Sequence, residues 1–306
     1  MKKINECIKE WMEKYKSNSV KPATYDRLIT SFQLMLKYSI AYIGYLDLQS
    51  DDIQKYLNEL VEDGYAMTTI KKQFNLLSGY LRWANAEGII PRAIYANVNL
   101  PSRSSVKKPK KEMQVYNKMQ QMTLKKVLQT NERGGYSAAL LMLETGMRVG
   151  EVIALSWDDI DWDRRSLRIN KTMVRLGNKK KMFVQQSAKT YTSERTIPLS
   201  KVAYSLLEDL YMKSCKGQSF VFENKDGTAY SYEKMRWDIQ IACDEADVPY
   251  LGQHVFRHTF ATNCFYKGCN VKILSKLLGH SNPTVTYNTY IHLFGDELEE
   301  MRSIVG

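Results

Sequence analysis

Between residues 101 and 112 the chain reads Pro-Ser-Arg-Ser-Ser-Val-Lys-Lys-Pro-Lys-Lys-Glu, a run with no apolar period and the composition of an extended, basic linker. Such a segment divides the chain into two domains, the number that a length of 306 residues also favours. The expected boundaries are a first domain over 1–100, a basic linker over 101–116 and a second domain over 117–306. The linker can be a solvated hinge or a strap along a phosphate backbone, and a hinge between two halves of a clamp can be both.

The first half reads as almost entirely helical. Ile4, Ile8 and Trp11 recur at helical spacing, and Tyr25, Leu28, Phe32 and Leu36 follow the Pro22 interruption. Ile53, Tyr56, Leu57 and Leu60 mark a third helix started by Ser50-Asp51-Asp52, and Ile70, Phe74, Leu77, Leu81 and Ala84 mark a fourth. These stripes predict the core of a small helical bundle, with no chemistry of its own. The second half is mixed. Helical stretches over 123–155 give way to strand candidates at Ser166–Ile169, Met182–Val184 and Arg195–Leu199, with Gly177-Asn178 as a turn signal. Helices return from 201, interrupted near Gly217, Gly227 and Pro249. The expected fold class is mainly α with a small β-sheet.

Charge narrows the function. Residues 101–200 hold 20 basic against 9 acidic side chains, so the middle third alone carries the +11 of the whole chain. A charge this local suggests a surface for a polyanion, with Lys107, Lys108, Lys110, Lys111, Lys179, Lys180 and Lys181 as the candidate contacts. Nucleic acid is favoured over anionic membrane because no basic amphipathic helix accompanies the excess. No apolar run approaches the ~18 residues of a membrane span, and the N-terminus lacks a signal peptide's apolar stretch. Five cysteines without a C-x-x-C pair make a poor disulfide framework and fit a reducing cytoplasm.

The residues able to carry chemistry gather late. All four histidines (His254, His258, His280 and His292) lie in the last 53 residues. In His254-Val-Phe-Arg-His-Thr the i, i+3 relation puts His254 and Arg257 on one helix face. Gly279 ends a helix just before His280, and Asn282-Pro283 restarts one that leads to Tyr287 and Tyr290. Upstream, Arg148 and Glu151 stand at i, i+3 between two apolar runs. A metal site of His254, His258, Cys264 and Cys269 fits no familiar zinc spacing. Asp159, Asp161 and Asp163 can be read as a two-metal nuclease site, but beside Trp157, Ile160 and Trp162 they read better as a turn into the following strand.

Taken together, these stretches resemble the tyrosine recombinase (phage-type integrase) family. They are Glu144-Thr-Gly-Met-Arg-Val-Gly-Glu-Val-Ile-Ala-Leu155, Ser187-Ala-Lys-Thr190 with Arg195-Thr-Ile-Pro-Leu199, His254-Val-Phe-Arg-His-Thr-Phe-Ala-Thr262, and Leu277-Leu-Gly-His280 running to Tyr290-Ile-His292. They occur in the family's order across the whole chain. The resemblance implies a helical, SAM-like core-binding domain followed by a mixed α/β catalytic domain. It also implies a catalytic set of Arg148, Lys189, His254, Arg257, His280 and the nucleophile Tyr290, with Glu151 in support and neither metal nor other cofactor.

That set suits strand exchange. Two guanidinium forks, Arg148 and Arg257, can bind the oxygens of an attacked phosphodiester bidentately. His254 and His280 add hydrogen bonds and help to move the nucleophile's proton. In the family the leaving 5′-oxygen takes a proton from a Lys in a strand turn, the position of Lys189, whose other reading is one more solvated Lys. A phenol of pKa near ~10 needs positive surroundings to attack. Tyr287, Ile291 and Phe294 recur at i, i+4, i+7, so Tyr287 is expected in the core and Tyr290 at the stripe's edge, free to reach the phosphate.

The implied function is site-specific recombination between double-stranded DNA sites by a homotetramer, through a 3′-phosphotyrosyl intermediate. Its setting is the cytoplasm of a bacterium, encoded by a phage or mobile element, with accessory directionality factors possible and no membrane. The long stretch from Arg168 to Arg195 favours a mobile-element integrase. Phage-type integrases often carry an arm-site-binding domain ahead of the core-binding one, whereas this sequence opens on the helical half, so a simple recombinase, invertase or chromosome-dimer resolvase is the second reading. A DNA-binding regulator that lost catalysis is the rival from another class. The C-terminal tail, with Leu298 and Met301 on one face and Glu297, Glu299 and Glu300 beside them, can dock on a neighbour or fold back on its own domain.

Overall fold

The computed structural model describes residues 1–102, 105–106, 113–130, 133–177, 181–186, 194–214 and 217–290. They form two compact units, Met1–Glu112 with Arg175–Lys181 and Met113–Val174 with Met182–Gly306, each over its described residues. The architecture is mainly helical with two small sheets. No helix among the described residues is long and apolar enough to cross a membrane.

In the first unit, α1 (Ile4–Trp11), α2 (Pro22–Met35), α3 (Ser50–Glu62) and α4 (Met67–Ala86) surround one core. Ile4 and Ile8 are fully buried, each contributing about 1.5–3 kcal/mol by leaving water. The start of α3 is built from Gln49, whose N–H donates to Asp52 Oδ2 at 2.9 Å, while Ser50 Oγ donates to the Ile94 carbonyl at 2.7 Å. Two stripes sit differently from the periodicity. Tyr25, Leu28, Phe32 and Leu36 of α2 are half-buried, and Ser31 and Met35 face inward instead. On α4, Gln73 rather than Phe74 is buried, because its amide oxygen accepts from Tyr56 Oη at 3.0 Å. Within the segment expected as linker, Val106 joins this core and Tyr116 joins that of the second unit. Lys107, Lys108, Lys110 and Lys111 lie outside the described residues.

The second unit is organised by α6 (Gly134–Thr145), which is buried on every side from Gly135 to Leu143. Around it pack α5 (Lys118–Thr130), α8 (Lys201–Lys213), α9 (Tyr232–Glu245) and α10 (His254–Tyr266). After α7 (Val149–Ile153), β1 (Ile160–Asp161), β2 (Ser166–Ile169) and β5 (Arg195–Pro198) form an antiparallel sheet in the order β1-β2-β5. The register sets Leu167 opposite Ile197 and Ile169 opposite Arg195, so Arg195 lies on the strand face that Ile197 buries. A second, two-stranded sheet pairs β3 (Lys171–Leu176) with β4 (Lys181–Gln186). Lys179 and Lys180 are outside the described residues, as is the side chain of Lys181. The chain then runs through α11 (Val271–Leu278) and α12 (Pro283–Tyr290), which pack on each other.

Candidate active site

Two left-handed glycines set the frame. Gly146 (φ +68) ends α6, and a Cβ there would sit 2.3 Å from the Phe260 ring. Gly279 (φ +65) ends α11. Just after the first, Arg148 stands at the N-cap of α7 and its backbone N–H donates to Glu151 Oε2 at 2.8 Å. The same carboxylate accepts from Arg148 Nη1 at 2.8 Å and from Arg195 Nη1 and Nη2 at 3.0 and 2.7 Å. Burial pushes the Glu151 pKa up, but hydrogen bonding and charge from Arg195, then Arg148, outweigh it and bring it to about 2.

The C-terminus of α11 draws the arginines together. A helix end leaves carbonyls without intrahelical partners and carries a partial negative charge. Here three consecutive carbonyls each accept from a different arginine. Arg195 Nε donates to Leu277 O at 2.7 Å, Arg257 Nη2 to Leu278 O, and Arg148 Nη2 to Gly279 O at 3.2 Å. Arg257 also donates from Nη1 to Gly146 O at 2.9 Å. Burial and the charge of Arg148 lower its pKa, although a guanidinium keeps its proton in a protein. Three guanidiniums gathered at one helix end, with the Glu151 carboxylate between two of them, leave an excess of positive charge, the electrostatics of an anion site.

His280 follows Gly279 and touches this cluster. Its Nε2 lies 3.0 Å from Arg257 Nη2, and a guanidinium only donates, so Nε2 accepts. The remaining proton then sits on Nδ1, which donates to Thr286 Oγ1 at 2.7 Å. Burial, Arg257 and Arg148 hold its pKa at about 4, leaving the ring neutral near pH 7. His254, the first residue of α10, is exposed overall, and burial of its ring, Arg257 and Arg148 lower its pKa.

Tyr290 departs from the expected placement. It is 2% exposed and packs with Ala261, Leu274 and Leu278, whereas Tyr287 is 41% exposed. The expectation that Tyr287 is core and Tyr290 lies at the edge is therefore reversed. The inferred stripe ran through Ile291 and Phe294, beyond the described helix, while α12 turns its Thr286 and Tyr290 face inward. The phenol Oη lies 3.0 Å from His258 Nδ1 in a hydrogen bond. Burial raises its pKa to about 12 against the opposing pull of Arg257.

The structure thus gathers Arg148, Glu151, Arg257 and His280 about the C-terminal turn of α11 within one unit, with His254 beside them and Tyr290 on an adjoining helix. Lys189 and His292 lie outside the described residues. Asp159 accepts from Ser156 N at 2.9 Å and pairs with Lys171 Nζ at 2.7 Å, a local turn cap. Two participants escaped the sequence reading. His258 was weighed only as a metal ligand. Arg195 passed as a strand residue, although alternation with Ile197 already put its charge on the inward face.

The family model for the phage integrase family matches residues 111–297. The XerC-like tyrosine recombinase of Caldanaerobacter subterraneus subsp. tengcongensis is 27% identical over 95% of this chain and 79% of its own length. The integrase of Staphylococcus phage L54a is 23% identical over 94% of this chain and 87% of its own. Among solved structures, the Tn1549 transposon integrase in complex with transposon right end DNA superposes with a TM-score of 0.81, at 18% identity and full coverage of both chains. Matched in its motifs, its fold and more than half its length, the chain belongs to the phage integrase family, the tyrosine-type site-specific DNA recombinases.

Proposed function

We propose that this chain is the integrase of a mobile element, acting on double-stranded DNA recombination sites as a homotetramer in the bacterial cytoplasm. The observation that carries the reading is the gathering of Arg148, Arg195 and Arg257 at the C-terminus of α11, with the Glu151 carboxylate shared by the first two, an anion site beside a helix that holds a tyrosine. Phage and transposon relatives support the mobile-element assignment.

In the proposed reaction Arg148 and Arg257 hold the non-bridging oxygens of the scissile phosphate. Arg257 is the more responsive of the two, because an arriving anion relieves the cost of its burial. The Tyr290 oxygen passes its proton to His258 and attacks phosphorus, the bond to the 5′-oxygen breaks, and Lys189 protonates that oxygen. The 3′-phosphotyrosyl ester conserves the phosphoester, so rejoining needs neither ATP nor a metal. His254 and His280 complete the phosphate's hydrogen bonds, the latter once its Nε2, which accepts from Arg257 in the free protein, has gained a proton to donate.

Incubation with a nicked half-site oligonucleotide tests this. Wild type and Tyr287→Phe are expected to give a covalent protein–DNA adduct, and Tyr290→Phe to give none while binding DNA nearly as well. An adduct from Tyr290→Phe overturns the nucleophile assignment. Absence of any adduct from wild type on its own element's ends returns the chain to the catalytically silent regulator.

A further inference from the structure

We propose that Arg195 is a positioning residue for recombination, a third arginine that holds the phosphate-binding Arg148 in place without touching the phosphate itself. This rests on the reading above, in which Arg148 contacts the scissile phosphate.

Geometry separates Arg195 from the other two arginines. Its side chain is 6% exposed, against 36% for Arg148. Each nitrogen of its guanidinium already donates, Nε to Leu277 O and the two Nη atoms to the two oxygens of Glu151 in a fork. Arg148 takes one of those same oxygens from the other side. Glu151 is therefore fixed between two guanidiniums, and the one facing solvent inherits its orientation from the one that does not. Lys cannot reproduce this arrangement, because a point cation lacks the planar fork.

The position ties three pieces of the site together. Through Leu277 O, Arg195 holds the turn that presents Gly279 O to Arg148 and carries His280. The fit is close, since a Cβ on Gly279 would lie 2.8 Å from Arg195 Nη1. As the first residue of β5, Arg195 also fixes the chain six positions after Lys189, the proposed proton donor. A single side chain thus sets where the phosphate clamp stands relative to the strand that follows the general acid.

The full-length protein on the nicked half-site tests this, read as single-turnover cleavage rate and as half-site affinity. Arg195→Gln and Arg195→Lys are each expected to slow cleavage by about 10²-fold, the scale of a misplaced catalytic group, with affinity within about twofold of wild type. Glu151→Gln/Arg195→Gln is expected to be no slower than Glu151→Gln alone, since both act through one contact. If Arg195→Gln fails to fold, Arg195→Lys carries the test, because its retained charge still pairs with Glu151. Cleavage by Arg195→Lys within twofold of wild type overturns the inference. So does an affinity loss that matches the rate loss, which marks a direct DNA contact, or additive losses in the double variant, which mark separate structural damage. Failure of the wild type to form the Tyr290 adduct would instead count against the recombinase reading itself.

Discussion

Replacing Glu151 by Gln keeps the side chain's shape and removes the carboxylate shared by Arg148 and Arg195. The folded-state pKa of about 2, against an ordinary 4.5, corresponds at 1.36 kcal/mol per pH unit to about 3 kcal/mol of stability at neutral pH. Glu151 is 7% exposed, so little of that is lost to solvent screening. A carboxylate whose pKa is lowered by folding contributes fully above its unfolded value and loses the contribution as pH falls through the folded one. The window is therefore about pH 4.5 down to 2. Urea titration reads the effect through Trp157 and Trp162 of the second unit, with Trp11, Trp83 and Trp237 replaced by Phe. Near pH 7 the protein is expected to exceed Glu151→Gln in stability by about 2–3 kcal/mol, and the gap should close toward pH 2. A gap of the same size near pH 7 and near pH 2 would refute the ion-pair reasoning, because protonated Glu and Gln are equivalent in charge.

Three further outcomes are expected. Half-site cleavage should proceed unchanged in excess EDTA, since guanidiniums meet the transferred charge; strict magnesium dependence would revive the Asp159, Asp161 and Asp163 reading. Neutralising Lys107, Lys108, Lys110 and Lys111 together should weaken binding to all DNA sequences and flatten the log–log salt dependence by about 0.9 per lost phosphate contact, whereas an unchanged slope makes the segment a plain linker. Gly279→Ala should lower the thermal midpoint, because a left-handed non-Gly residue costs about 1–2 kcal/mol and its Cβ displaces Arg195; an unshifted midpoint contradicts the close packing drawn at that turn.

The sequence was most legible where one rule acts locally. Ile4, Ile8 and Trp11, or Ile53, Tyr56, Leu57 and Leu60, obey helical period and are buried as expected. Asn282 caps α12 through the Thr284 N–H at 2.9 Å, and Gly279 ends α11, both from local chemistry alone. The same holds for the contact between Arg148 and Glu151, one helical turn apart. What escaped depends on partners far along the chain. Arg195 reaches Glu151 across 44 positions and Leu277 across 82, which no spacing rule encodes. Tyr290 was misplaced because its helix face was inferred from residues beyond the described helix, while packing against α10 and α11 decides which side goes in.

The burial of Tyr290 bears on what the idle molecule does to the DNA it meets. At pH 7 a phenol of pKa about 12 is ionised in about one molecule in 10⁵. Its oxygen faces an imidazole and apolar side chains rather than solvent. On the proposed reading, in which Tyr290 is the nucleophile, a stray phosphodiester at the arginine cluster meets an attacking oxygen still capped by His258. On that reading cleavage waits on the tyrosine leaving this packing, so timing rather than nucleophilic strength guards the DNA.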